Sequence, residues 1–232
     1  MISWEEKSGL AIIVSMVSQK GGVGKSTLAR LLAREFATQE WRVKIADLDI
    51  SQGTSFQWRA RRLEHQIEPD VPVEQFGRVD QALKIGDQYD LLIFDGAPHG
   101  SQATRAIAQA SDLTVIPTGL AVDDLQPAVT LAHDLLKNSV PREKIVFALC
   151  RVGSSSVEIE DARTYLQQAG YAVLRGALPE QVAYRRASDE GRALTETRFQ
   201  SLNERAEELA QGMVDKIGEL NDKAKRSKRS VA

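Results

Sequence analysis

An apolar run, Leu10–Val17, leads into Gln19-Lys20-Gly21-Gly22-Val23-Gly24-Lys25-Ser26-Thr27, and a helical pattern over Lys25–Gln39 leads out of it. No other feature of the chain constrains the fold as strongly as this order of strand, glycine loop and helix. Glycines let the backbone wrap closely around an anionic group, and successive N–H groups and the helix N-terminus then face its oxygens. The pattern predicts a phosphate cradle at the end of a buried strand. In it, Gly21, Gly22, Val23 and Gly24 supply backbone. Lys25 reaches the β- and γ-phosphates, the Ser26 hydroxyl is placed for Mg²⁺, and Thr27 is placed for the α-phosphate.

The rest of the chain fits that start. Further short apolar runs lie at Arg42–Ala46, Val71–Val73, Leu91–Phe94, Leu113–Ile116, Lys144–Leu149 and Ala172–Leu174. Helical patterns separate them, for example Ser101–Gln109, Leu125–Asn138 and Glu158–Ala169. Continuous apolar strands alternating with helices predict an α/β fold, a mostly parallel twisted sheet with helices on both faces. With 232 residues, scattered prolines and no Gly/Ser tract, the expectation is a single domain over residues 1–221. Leu202, Ala206, Leu209, Met213 and Ile217 recur at helical spacing and predict a last amphipathic helix. It is expected to end at Asn221, leaving 222–232 as a basic, disordered tail with Lys223, Lys225, Arg226, Lys228 and Arg229.

Charge and composition exclude several classes. Lys plus Arg is 30 against 32 for Asp plus Glu, so any nucleic-acid contact must come from a local patch. The one cysteine, Cys150, makes neither an internal disulfide nor a multi-cysteine metal site and reads as a buried thiol. No run approaches the ~20 apolar residues of a membrane span. The first residues lack a signal-peptide apolar region, so a cytoplasmic protein is expected.

Two carboxylate positions stand out. Asp95 ends the run Leu91-Leu92-Ile93-Phe94, at the C-terminal end of a strand where ligands bind in open α/β sheets, and is expected to hold Mg²⁺ through water. Asp47 and Asp49 follow the strand Arg42–Ala46 in Asp47-Leu48-Asp49-Ile50-Ser51-Gln52-Gly53, where capping or turn roles are the alternative to chemistry.

The lysine at the second position of the loop, Lys20, gives Lys-Gly-Gly-Val-Gly-Lys-Ser. This resembles the deviant Walker A motif of the ParA/MinD superfamily, and nearly the whole chain is similar to a short plasmid-type ParA. The Asp-x-Asp segment before Gln52-Gly53, the Gly96-Ala97-Pro98 segment after Asp95 and Trp58 with Arg59, Arg61 and Arg62 extend the resemblance. It implies ATP with Mg²⁺ as ligands and a homodimer closed over ATP, each Lys20 reaching the partner's phosphates. Asp49 would orient the attacking water and Asp47 would support the magnesium shell, so that Lys20, Lys25 and Asp49 carry catalysis. His99 reads as an exposed loop histidine rather than a nucleotide sensor. Trp58 is either a family feature or core, its arginines then forming a solvated helix face. Near the base, Arg151 would stack on adenine with Leu178-Pro179-Glu180 closing the other side, Pro179 included among the nucleotide contacts; a plain loop role is the alternative.

The family also implies non-specific DNA binding through basic residues. Arg185, Arg186, Arg192, Lys223, Lys225 and Arg226 are the candidates, with Arg192 and Arg198 able to pair with helix carboxylates instead. Phosphate contacts of this kind make affinity fall steeply with salt. The short stretch before the first strand leaves no room for the helix-turn-helix domain of larger ParA proteins. The function the resemblance implies is a slow, partner-stimulated ATPase, nucleoid-associated, that segregates plasmid or chromosomal DNA with a ParB-like partner. Three alternatives stay open: a MinD-like membrane cycler, a ParA-like positioner of a non-DNA cargo, and a metabolic P-loop enzyme. The apolar-poor end of the chain argues against stable membrane association.

Overall fold

Along the run Leu91–Asp95 (β4 below), Leu91 and Ile93 pack into one hydrophobic cluster while Leu92 and Phe94 pack into another. Side chains alternate across a strand, so an all-apolar strand must be covered on both faces. The computed structural model describes residues 11–96 and 102–231, with side chains as far as Lys223. Its strands are β1 (Ile12–Met16), β2 (Val43–Asp47), β3 (Val73–Gln75), β4 (Leu91–Asp95), β5 (Leu113–Thr118), β6 (Ile145–Val152), β7 (Ala172–Val173) and β8 (Leu178–Pro179). The helices are α1 (Lys25–Thr38), α2 (Thr54–Glu64), α3 (Val79–Leu83), α4 (Gln102–Ala110), α5 (Val122–Lys137), α6 (Ser156–Gln168), α7 (Val182–Asp189) and α8 (Gln200–Val231).

All pairings are parallel, in the order β3-β2-β4-β1-β5-β6-β7, with β8 paired to the end of β6. The single α/β sheet domain expected from the alternating pattern is what forms. One cluster joins Leu28, Leu31 and Phe36 of α1 to Trp58, Tyr184, Leu209, Met213 and Ile217. The other joins Ile107, Leu125, Leu131, Leu135, Ala162 and Leu166 to the opposite face. The chain crosses from one side of β1 to the other between β4 and β5, so the loop after β1 lies at a topological switch point, where such sheets bind ligands.

Two elements depart from expectation. The β3 strand lies later than Val71–Val73: Val71 is buried in the core ahead of it, while Val73–Gln75 pair with β2. The last helix does not end at Asn221 but continues to Val231, so the segment expected to be a disordered tail is helical to that point. The low apolar content there removes a packing face, but Asn221–Val231 contains neither Gly nor Pro. Its lysines, arginines and alanine are good helix formers, and extending a formed helix avoids the cost of nucleation.

Candidate nucleotide-binding site

The loop after β1 is held by its own backbone. The Ser18 hydroxyl donates to the Lys20 carbonyl at 2.8 Å and accepts from the Lys20 N–H at 2.9 Å. Gly24 has φ 114°, which excludes a side chain, and a Cβ there would lie 3.4 Å from Cys150 Sγ. The next residue opens α1, with Leu28 N–H donating to the Gly24 carbonyl at 2.9 Å. Lys25 is buried and its Nζ donates to the Lys20 carbonyl at 3.2 Å, closing the loop across its mouth. Burial lowers the Lys25 pKa, while the charges of Asp95 and Asp49 oppose that shift. The Lys20 side chain instead pairs with Asp124 in the first turn of α5, at 2.9 Å.

Asp95 stands at the end of β4, in register with Met16 of β1 and Asp47 of β2. Its Oδ2 accepts from Ser55 Oγ at 2.7 Å, and the Ser26 side chain lies near enough to help lower its pKa. Its Oδ1 is buried without a partner. Burial raises its pKa; the bond from Ser55, the nearby Ser26 side chain and the charges of Arg30 and Lys25 pull the other way. An orphaned carboxylate oxygen beside a hydroxyl is a hard-oxygen donor set, and a magnesium ion at a phosphate site takes one or two such ligands plus phosphates and waters. Ser26 and Asp95 therefore fit the ion. Among the described residues no cluster of three or more His, Cys, Asp or Glu side chains forms a separate metal site.

Asp47 takes up the capping role that stood as the alternative to chemistry. Fully buried, it accepts from the backbone N–H of Ser55 at 3.2 Å, Phe56 at 3.1 Å and Asp49 at 3.1 Å. It thus caps the start of α2. Burial, with Asp95 adding to it, pushes its pKa up to about 6. Asp49 lies in the following turn, its Oδ1 accepting from Ser51 Oγ at 2.7 Å and Gln52 N–H at 3.2 Å.

A cavity of about 400 Å³ adjoins the loop, lined by Gly22, Thr27, Arg151, Pro179, Tyr184 and Asp189 among others. Arg151, at φ 56°, donates to Glu180 at 2.8 Å and to the Gly22 carbonyl at 3.3 Å, so its guanidinium is clamped between β8 and the phosphate loop. The structure thus brings Arg151 and Pro179 to the glycine loop, where a nucleoside has room.

Trp58 is core: it is fully buried and its Nε1 donates to the Arg192 carbonyl at 3.0 Å. A solvated face for its arginines is wrong for Arg62, which is also fully buried. Arg62 pairs with Glu196 at 2.6 Å and lies over the Trp58 ring. Arg59 pairs with Asp70 at 2.8 Å.

The basic candidates separate. Arg185 is paired with Glu180, Arg192 with Glu190 at 3.4 Å, and Arg198 lies over Phe199. Arg186 has no ion pair among the described residues and lines a groove of about 880 Å³ with Arg192 and Arg198. Lys223 is exposed on α8; the side chains of Lys225 and Arg226, and the segment holding His99, lie outside the described residues.

Three contributors escaped the sequence reading. Ser55 orients Asp95. Asp124 holds Lys20. Arg30, buried under the loop, donates to the Ser26 carbonyl at 2.8 Å and to Ser188 Oγ at 3.0 Å. Burial, opposed by Asp95, pushes its pKa down to about 10.

Residues 14–194 match the family model described as the CobQ/CobB/MinD/ParA nucleotide binding domain. The chain belongs to this family. Membership carries nucleotide binding and, for a family of P-loop ATPases, implies ATP hydrolysis. A curated relative, the "Maintenance of carboxysome distribution protein A" of Gloeobacter kilaueensis, is 30% identical over 194 residues, 83% of this chain and 88% of the relative. Among solved structures, an ATP complex of Cyanothece McdA aligns with TM-score 0.69 and 16% identity, covering 89% of this chain and 97% of that one. The septum site-determining protein MinD of Pyrococcus horikoshii with Mg-ADP aligns with TM-score 0.71 and 17% identity, covering 90% and 98%. These two likenesses show the fold. Among the described residues no helix is long and apolar enough to cross a membrane.

Proposed function

We propose that this chain is a positioning ATPase that closes as a homodimer over Mg-ATP, binds DNA without sequence preference as its track, and distributes a cargo other than a plasmid, such as a protein compartment. The observation that carries the cargo reading is the 30% identity, over most of both chains, to a protein named for carboxysome distribution. A plasmid or chromosomal cargo with a ParB-like partner, and a membrane-cycling role, have only fold-level likeness behind them.

The proposed chemistry uses the site as built. Backbone N–H groups of Gly21 to Gly24 and the start of α1 take the phosphates, and Lys25 and Thr27 add side-chain contacts. Ser26 and Asp95 would hold Mg²⁺, which neutralises charge on the phosphate oxygens. Asp49 orients the attacking water, and Lys20 of one subunit stabilises charge on the partner's phosphates. Arg151 and Pro179 flank the base. Arg186 is the strongest of the DNA candidates, because its charge is uncompensated. Arg185 and Arg192 are weaker, because each is paired with a glutamate. Lys223, Lys225 and Arg226 would extend the patch along α8.

The test of the cargo reading is deletion of the gene with parallel scoring of plasmid retention and of compartment spacing by fluorescence. Clustered compartments with normal plasmid retention are expected. Plasmid loss with evenly spaced compartments would replace this reading with partition.

A further inference from the structure

Arg30 sits in a run of buried apolar residues on α1, between Leu28-Ala29 and Leu31-Leu32-Ala33, and is buried with them. Its hydrogen bonds go to a carbonyl and a hydroxyl, and the carboxylates of Asp95, Asp47 and Asp189 act on its charge without bonding it. A buried cation held this way is costly, and an apolar side chain would fill the place at lower cost. What the guanidinium does there is span two elements. Its Nε turns back to the Ser26 carbonyl at 2.8 Å, and its Nη1 reaches Ser188 Oγ on α7 at 3.0 Å. Ser26 belongs to the phosphate half of the site. Ser188 and its neighbour Asp189 line the cavity beside the loop, while Arg30 is buried behind that wall. The planar fork holds its donors in fixed directions, so one side chain sets α7 relative to the first turn of α1.

We propose that Arg30 is a positioning residue for nucleotide binding: it clamps α7 to the phosphate loop, so that the cavity wall stands where the nucleoside end of an adenine nucleotide needs it. This rests on the reading that the cavity holds the nucleoside. The clamp makes the two halves of the site one rigid unit before any ligand arrives, which spares the nucleotide the cost of ordering α7.

The test is calorimetric titration of the full chain with Mg-ADP and, separately, with Mg-pyrophosphate, which fills the loop and leaves the cavity empty. Ser188→Ala removes one end of the clamp at a half-buried position. It is expected to weaken ADP about three- to tenfold, the worth of one hydrogen bond, and to leave pyrophosphate unchanged. Ser188→Thr, which keeps the hydroxyl, should retain wild-type ADP affinity. Arg30→Lys keeps the charge, but a single ammonium does not reproduce the fork, so it should match Ser188→Ala. The two changes together should weaken ADP no more than either alone, since they cut one link. Unchanged ADP affinity in Ser188→Ala, an equal loss for ADP and pyrophosphate, or the same loss in Ser188→Thr overturns the proposal. Full additivity in the double variant also overturns it, because Ser188 would then touch the nucleoside directly. A wild type that binds ADP no more tightly than pyrophosphate removes the nucleoside reading of the cavity, and the clamp with it.

Discussion

Neutralising Glu196 tests the buried network that locks α2 against the second half of the chain. Glu196 accepts from Arg62 at 2.6 and 2.9 Å, from Arg34 at 3.2 Å and from the Ala193 N–H at 2.7 Å. Arg62 is fully buried, so Glu196→Gln leaves its cation without a carboxylate. Breaking one side of a buried pair costs about 3–5 kcal/mol. The lower end, about 3 kcal/mol, applies here because glutamine keeps an acceptor and Arg62 still donates to the Pro69 and Gly191 carbonyls. With an unfolding entropy of ~2.1 cal/mol/K per residue, a chain of this length should lose about 6 °C in Tm. Burial pushes the Glu196 pKa up, but the bonds from Arg62 and Ala193 and the arginine charges bring it below the ordinary value. The net depression contributes stability above the ordinary glutamate range that is lost as pH falls through the folded value, so the variant should also show a flatter acid limb. Urea denaturation from pH 3 to 8 reads both effects. In an Arg62→Met background the same change should cost at least about 1 kcal/mol less, since no buried cation is stranded. A loss below about 1 kcal/mol in the wild-type background, or equal losses in both, would refute the reasoning.

Other outcomes follow from the same geometry. For Asp47 the sign is reversed: a carboxyl raised from 3.8 to about 6 binds its proton more tightly in the folded state. It favours folding below pH ~4 and loses that effect as pH rises through ~6, on the order of 3 kcal/mol. Asp47→Asn should remove that slope from denaturation curves while its amide oxygen still caps α2; an unchanged slope between pH 4 and 6 would reject the assignment. Gly24→Ala, at φ 114° and against Cys150, should cost about 1–3 kcal/mol of backbone strain and reduce ATP affinity at least tenfold by calorimetry. Near-normal affinity would mean the loop relaxes freely. Asp49→Ala should bind ATP normally yet hydrolyse it slowly and stay on DNA; rapid turnover in a phosphate-release assay would remove the catalytic role.

What the sequence made legible was local. The glycine loop could be read because strand, loop and helix are contiguous and each glycine answers a backbone need, as Gly24 shows. Asp95 could be read because a lone carboxylate ends an apolar run. Ser55, Arg30 and Asp124 could not, since a serine and an aspartate in helical first turns and an arginine one turn further along look like ordinary capping or surface residues until the chain crossing brings them to the loop. The burial of Arg62 was hidden for the same reason: its counterion lies 134 residues away. The two-residue strand Leu178–Pro179 is too short for any period to show. The extension of α8 was misread because low apolar content argues against packing, not against helix.

The central claim is that Lys20 acts across a dimer that forms only over ATP. Sedimentation velocity with Mg-ATP, Mg-ADP and no nucleotide, on wild type and Lys20→Ala, tests it most directly. The account predicts a doubled mass for wild type with ATP alone and a monomer for Lys20→Ala in every state. A wild type that binds ATP and stays monomeric, or a Lys20→Ala protein that dimerises equally well, would contradict it.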